Sequence, residues 1–145
     1  MKTFHVSLCV EDLERAIDRY RAILGIEPAK VRADFAKFEL SDPPLILSLN
    51  IGGAAGTLSH LGIRHEDSEH VDTDLARSRA AGLEIEEQKG TTCCYAKADK
   101  FWVKDADGIA WEMYSLLGDA DVHSLPDAAP RSLAPQPAAK PGCCG

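Results

Sequence analysis

Two stretches of this chain repeat each other at a fixed offset, and the repetition limits the folds open to it. Residues 3–12 read T-F-H-V-S-L-C-V-E-D, and residues 57–67 read T-L-S-H-L-G-I-R-H-E-D. His5 and His60 are 55 residues apart, as are Glu11 and Glu66, and Asp12 and Asp67. Each stretch alternates like a strand and runs into a helical pattern that closes at a glycine, Gly25 or Gly82, suited to a left-handed cap. Two copies imply a duplicated module, since a solenoid needs more.

The first helix is the clearest. Leu13, Ala16, Ile17, Tyr20, Ile23 and Leu24 recur on one face behind Asp12 as N-cap. In the second helix, about 68–81, Val71 and Leu75 are the large apolar pair. Strands are expected around 35–40 and 45–50 in the first copy, and around 83–87, 99–104 and 109–116 in the second. Residues 105–108, D-A-D-G, make a hairpin turn. The order is βαβββ twice. That is an α+β fold: two tandem βαβββ modules, about 1–52 and 56–118, with helices covering one face of a curved sheet and a metal cavity on the other. They form one domain of residues 1–118. Residues 119–145 hold five of the eight prolines and six alanines, with few large apolar residues, and read as a flexible, disordered tail.

Lys and Arg number 16 against 23 Asp and Glu, a net charge of −7 with no basic block. That balance argues against nucleic acid and anionic membranes as partners. There is no apolar run long enough to span a bilayer and no leader pattern after Met1, so a cytoplasmic location is expected.

Strand alternation places His5 with Ser7 and Cys9, opposite Phe4, Val6 and Leu8. The apolar set suits the helix-covered side, which leaves His5 on the concave side. His60 holds the equivalent place in the second copy, and Glu112 alternates with Trp111 and Met113 in the last strand. Two histidines and a carboxylate meeting there are the ligand set of a non-haem Fe(II) site with open positions; the same types can hold zinc. Singly, each has a plainer role, as a hydrogen-bonded strand histidine or a solvent-facing glutamate. The string H-E-D-S-E-H, 65–70, is one residue too long for H-E-x-x-H, so His65 and His70 are expected to be exposed. His123, in the tail, is expected to be solvated.

There are five cysteines: Cys9, Cys93, Cys94, Cys143 and Cys144. An odd count with two adjacent pairs does not resemble a secreted disulfide framework and reads as soft-ligand chemistry in a reducing compartment. In G-T-T-C-C-Y, 90–95, a loop opened by Gly90 lets both thiols face one way and clamp trivalent arsenic, cadmium or mercury. The plainer reading is two small hydrophobes, and a strained vicinal disulfide is a third. Cys143 and Cys144 are a second soft pair on a tether of about 25 residues, with a reach of roughly 25–30 Å. Cys9 reads as a structural thiol.

The strings H-V-S-L-C-V-E-D-L-E-R-A-I-D-R-Y, S-D-P-P-L-I-L-S-L-N, T-L-S-H-L-G-I, G-T-T-C-C-Y-A-K-A-D-K-F-W-V and G-I-A-W-E-M-Y extend over most of residues 4–116. Together they resemble the vicinal oxygen chelate superfamily of glyoxalase I, extradiol dioxygenases and bleomycin-resistance proteins. Within it, T-C-C-Y, S-H-L-G and W-E-M-Y resemble the arsenic- and cadmium-inducible branch of organoarsenical carbon–arsenic lyases and cadmium-induced proteins. The resemblance implies His5, His60 and Glu112 as Fe(II) ligands, and Cys93 and Cys94 as the thiols that bind the substrate. It implies dioxygen-dependent cleavage of the carbon–arsenic bond in trivalent methyl or aromatic arsenicals, with arsenite as a product. That branch often carries Gln at the first ligand position, where this chain has His5. Tyr95, Lys100 and Trp102 are expected near the substrate loop, with Cys143 and Cys144 as accessory thiols. The partners are then the organoarsenical and dioxygen, on a monomer or homodimer. A cadmium- or arsenite-binding resistance protein without turnover is one alternative. A glyoxalase-type lyase is another; it needs a fourth ligand near Leu47 or Ser48, and neither is a good one. Extradiol ring cleavage uses the same triad but has no use for Cys93 and Cys94.

Overall fold

The computed structural model describes residues 1–93 and 95–119, with backbone alone at Cys93 and Asp119. The elements are β1 (Thr3–Val10), α1 (Leu13–Leu24), β2 (Lys30–Arg32), β3 (Phe35–Ser41), β4 (Pro44–Ile51), β5 (Leu58–Arg64), α2 (Ser68–Ala80), β6 (Glu86–Cys93), β7 (Ala96–Lys104) and β8 (Ala110–Asp119). This is βαβββ twice, as the repeat predicts. All strands join one eight-stranded mixed sheet in the order β2-β3-β4-β1-β5-β8-β7-β6. Within each copy the first strand pairs in parallel with the last, β1 with β4 and β5 with β8. The copies meet at a central seam where β1 and β5 pair antiparallel. Accumulated strand twist makes so wide a sheet curl.

The repeated aspartates and glycines do the same work in both copies. Asp12 accepts a hydrogen bond from the Arg15 N–H at 3.0 Å, and Asp67 one from the His70 N–H at 3.0 Å, so each caps its helix N-terminus. Gly25, at φ 70°, closes α1 by donating its N–H to the Arg21 carbonyl. Gly82, at φ 78°, donates to Arg79 while Leu83 donates to Ser78, the double bond of a Schellman turn. The α1 face buries Leu13 and Ile17 against Phe38, Leu47 and Leu49, with Val6, Leu8 and Val10 of β1 packed alongside. The apolar face of β1 is thus the helix-covered one. Ile23, expected on the buried stripe, is 64% exposed near the helix end. The second core packs Val71 and Leu75 of α2 on Phe101 and Val103 of β7.

Two local expectations are corrected. The strand expected at 83–87 instead begins at Glu86, because the Leu83 N–H is committed to capping α2. Gly90 opens no loop. It lies inside β6 at φ 59°, where the register with β7 shifts between Gln88 and Thr91, and its N–H donates to Asp99 Oδ1 at 2.7 Å. A left-handed glycine at such a shift is a β-bulge that bends the strand. The chain reverses further on: Cys93 pairs with Ala96, and Tyr95 is in the turn between them.

His65 is also corrected. It is buried, its N–H donating to the Tyr114 carbonyl at 2.7 Å and its Nε2 lying 3.0 Å from Asp74 Oδ2. Lys2 and Arg77 reach the same carboxylate, at 3.4 and 3.1 Å. His70 is exposed as expected and stacks on His65. Burial pushes the His65 imidazole below its ordinary value against the pull of Asp74, with Lys2 and His70 adding to the depression. The unfolded chain therefore takes up this proton first as pH falls below about 6.5, and stability is lost on acidification. Replacing His65 by Gln is expected to flatten the fall in urea midpoint below pH 6.5; an unchanged slope would exclude His65 as its source. Among the described residues, no helix is long and apolar enough to cross a membrane.

Candidate metal centre

Strand register explains how three distant residues converge. His5 on β1 lies opposite Gly62 on β5, and Gly62 lies opposite Glu112 on β8. His60, two residues before Gly62, shares its face. One ligand atom from each of His5, His60 and Glu112 falls within 4.8 Å of the others, and all three residues are buried. Gly62 keeps the middle of the row bare. A Cβ there would stand 2.6 Å from the Glu112 backbone oxygen. Gly62→Ala should cost about 1–3 kcal/mol through that overlap, read as a lowered urea midpoint in metal-free protein. An unchanged midpoint would mean that β8 can move aside.

The donor atoms are in the state a metal needs. His5 Nε2 is 3.0 Å from Ser48 Oγ, while its buried Nδ1 has no hydrogen-bond partner. His60 Nδ1 is 3.1 Å from Ser59 Oγ. Its Nε2 lies 3.1 Å from Glu112 Oε2 but off the line of a hydrogen bond, so it too is orphaned. Buried polar atoms are seldom left so, and two together fit the ligand atoms of a cation site. Burial, then the neighbouring His60, push the His5 imidazole down to about 3, with Lys100 and Lys37 adding and Glu112 opposing. Burial would raise the Glu112 carboxyl, but Lys100 and the two histidines outweigh it and hold it at about 2. A neutral imidazole and an ionised carboxylate are the forms that ligate metals.

Lys100 and Trp102 complete the floor. Lys100 Nζ donates to Glu112 Oε1 at 3.4 Å and lies 5.3 Å from the Trp102 ring centroid. Trp102 pairs across the sheet with Glu112, and its ring meets His60 edge-on at 5.0 Å. The two carboxylate oxygens therefore differ: Oε1 faces Lys100 and Oε2 faces His60. Lys100 and Trp102, expected near the substrate loop, are both 1% exposed and lie beside the triad. Phe35, Lys37, Ser48, Ala96, Tyr114 and Leu116 also line the cavity, whose free space is about 40 Å³. One water needs ~10–15 Å³, so the space suits an ion and small ligands.

Ser48 has a meaning that register makes plain. Glu112 lies opposite Gly62, and 55 residues earlier Ser7 lies opposite Ser48. Ser48 is thus the first module's counterpart of Glu112. Sequence reading narrowed this position to Leu47 or Ser48 but missed Lys37 and Tyr114, because their approach depends on the curl of the sheet.

The sulfur residues divide. Cys93 is the last residue of β6, and its partner Ala96 lines the cavity. The Cys93 side chain, Cys94, Cys143, Cys144 and His123 lie outside the described residues. Cys9 is buried on the His5 side of β1. Tyr95 packs against Phe35, a lining residue, with its hydroxyl donating to Asp34 Oδ1 at 2.7 Å.

Two βαβββ copies closed into one curled sheet, with two histidines and a glutamate on its concave face, define a class of metal-cavity proteins. The chain belongs to the Glyoxalase/Bleomycin resistance protein/Dioxygenase superfamily, whose family model matches residues 2–113. It is 42% identical over 122 residues to the cadmium-induced protein CadI of Mycobacterium tuberculosis, covering 83% of this chain and 80% of that protein. It is 41% identical over 129 residues to the trivalent organoarsenical cleaving enzyme of Thermomonospora curvata, covering 88% and 85%. Among solved structures, the extradiol ring-cleaving dioxygenase from B. fuscum matches with a TM-score of 0.62 at 21% identity, covering 81% of this chain and 33% of that one. This last likeness is one of fold.

Proposed function

We propose that this chain cleaves the carbon–arsenic bond of trivalent organoarsenicals with dioxygen, one oxygen atom ending on arsenic as arsenite and the other on the released carbon, so that a methyl group leaves as formaldehyde. His5, His60 and Glu112 would hold Fe(II), and Cys93 and Cys94 the arsenic. The observation that carries the reading is the meeting of two features in one cavity. The buried triad forms its floor, and the strand bearing Cys93 turns back at its wall through Ala96. The similarity to an organoarsenical cleaving enzyme over 88% of the chain supports the substrate class.

Bound Fe(II) with open positions would supply the site for dioxygen. The chain's own residues do the rest. Two adjacent thiolates hold a soft trivalent arsenic, so that the substrate and the oxidising centre react as a single complex. Lys100 takes up Glu112 Oε1 and leaves Oε2 for the cation. Trp102 wedges the His60 ring. Burial raises the Tyr114 phenol well above its ordinary value, so it remains a neutral hydroxyl beside His5. Ser48 disfavours a glyoxalase-type site, because a hydroxyl bonded to His5 is a poor fourth ligand. Cys143 and Cys144 enter as accessory thiols on the tail.

The test is anaerobic Fe(II) loading of the full chain, addition of methylarsonous acid, and arsenic speciation after air is admitted. Arsenite that forms only with both Fe(II) and oxygen is the expected result. Arsenite formed equally well without Fe(II) would overturn the metal assignment. Tight cadmium or arsenite binding with no oxygen uptake would favour a sequestering protein, the reading that the similarity to a cadmium-induced protein keeps alongside.

A further inference from the structure

The apolar wall of the cavity limits the size of what can lie beside the triad. Strand alternation puts Phe35, Lys37 and Glu39 on the concave face of β3, while Ala36 and Phe38 pack under α1. The Phe35 ring therefore has no place in the helix-covered core. It lines the cavity and is 2% exposed. Its position is backed by the Tyr95 ring, whose centroid is 6.1 Å away. Ile46 joins this wall from the first module, and β7 adds the small Ala96 and Ala98 next to Lys100. The space left is about 40 Å³. A dry apolar cavity that binds benzene measures about 150 Å³. Beside the triad there is thus room for a methyl group but not for a phenyl ring.

We infer that this chain is selective for methyl over aryl arsenicals, and that Phe35 is the residue that sets the limit. That selectivity rests on the reading of the triad as the place where the carbon–arsenic bond breaks. Reacting atoms must come within about 3–3.5 Å of each other, so the organic group has to share the space that Phe35 leaves. Electron balance favours the same substrate. A methyl carbon carries hydrogens, and its oxidation to formaldehyde needs dioxygen alone. An aryl carbon bonded to arsenic carries none, so its release as a phenol consumes two further electrons and two protons from an added reductant. Phe35→Ala deletes one phenyl ring from the wall, and so frees the room that one phenyl ring needs.

The first test uses the metal-free full chain and benzene alone. Benzene should leave wild type unchanged and raise the melting temperature of Phe35→Ala by about 5 °C, because a ligand that binds only the folded state stabilises it. The second gives Fe(II)-loaded protein either methylarsonous or phenylarsonous acid in air, with ascorbate as the reductant in both. Wild type should favour the methyl compound by about 100-fold in kcat/KM, since a packed wall yields little to an oversized group. Phe35→Leu keeps an apolar side chain in the wall and so preserves the fold where Phe35→Ala does not. In either variant the ratio should drop about tenfold or more. Equal turnover of both compounds by wild type would overturn the proposal, as would a ratio that stays unchanged in the variants. So would a benzene shift as large in wild type as in Phe35→Ala. A wild-type chain that releases arsenite from neither compound would sink the functional reading instead, and benzene binding would still decide whether Phe35 fills the space of a ring.

Discussion

Changing Cys94 to serine is expected to abolish arsenite release while leaving Fe(II) bound. Arsenic in its trivalent state is soft and prefers sulfur, and a serine hydroxyl is a hard, protonated substitute. Two adjacent thiolates act as a chelate, in which the second bond forms within an already tethered complex. Losing that bond forfeits about 10²–10⁴-fold in affinity. Cys93→Ser should behave alike. The triad lies on β1, β5 and β8, on separate strands from the β6–β7 turn, so metal content should be unaffected. Phenylarsine oxide binding and arsenite release should fall together in either variant. A Cys143→Ser, Cys144→Ser double variant retains both the triad and the first pair and should still turn over. Full activity in Cys93→Ser and Cys94→Ser would remove the clamp from the mechanism.

The second large effect is at Glu112. Glu112→Ala is expected to remove both bound metal and much of the stability of the metal-free protein. Its carboxylate is a counter-charge of Lys100, whose side chain is 1% exposed, with Nζ 3.4 Å from Oε1. Losing a hydrogen bond to a buried charged group costs about 1.5–3 kcal/mol. Adding Lys100→Met should restore most of the urea midpoint, because an apolar chain of similar length suits the space, but it should not restore metal binding. A recovery of stability without metal would separate the two roles of Glu112. If Glu112→Ala alone left the midpoint unchanged, the remaining contacts of Lys100 would be enough to hold its charge.

Much of this was legible in the chain. The offset of 55 located both modules, and Asp12 and Asp67 proved to be equivalent caps because N-capping is a local interaction of three residues. His5, His60 and Glu112 could be named because strand alternation assigns faces without knowledge of the tertiary fold. What failed was longer in range. His65 was read as solvent-exposed, yet Asp74 on α2 and the Tyr114 carbonyl draw it inward. Gly90 looked like a loop opener, but a glycine bulge inside a strand has the same composition. Lys100 carries no sequence mark of burial, since a lysine enters a core only when a carboxylate waits there, and its partner is across a strand pair.

The counterpart relation of Ser48 and Glu112 has a consequence for the charge that each half brings to the cavity. The second module supplies His60, Lys100 and the carboxylate of Glu112, while the first supplies His5, Lys37, Ser7 and Ser48 beside the apolar Phe35 and Ile46. Of the two equivalent positions, Glu112 carries a charge and Ser48 a neutral hydroxyl. Two copies of one fold thus make a vessel whose halves match in shape and differ in charge.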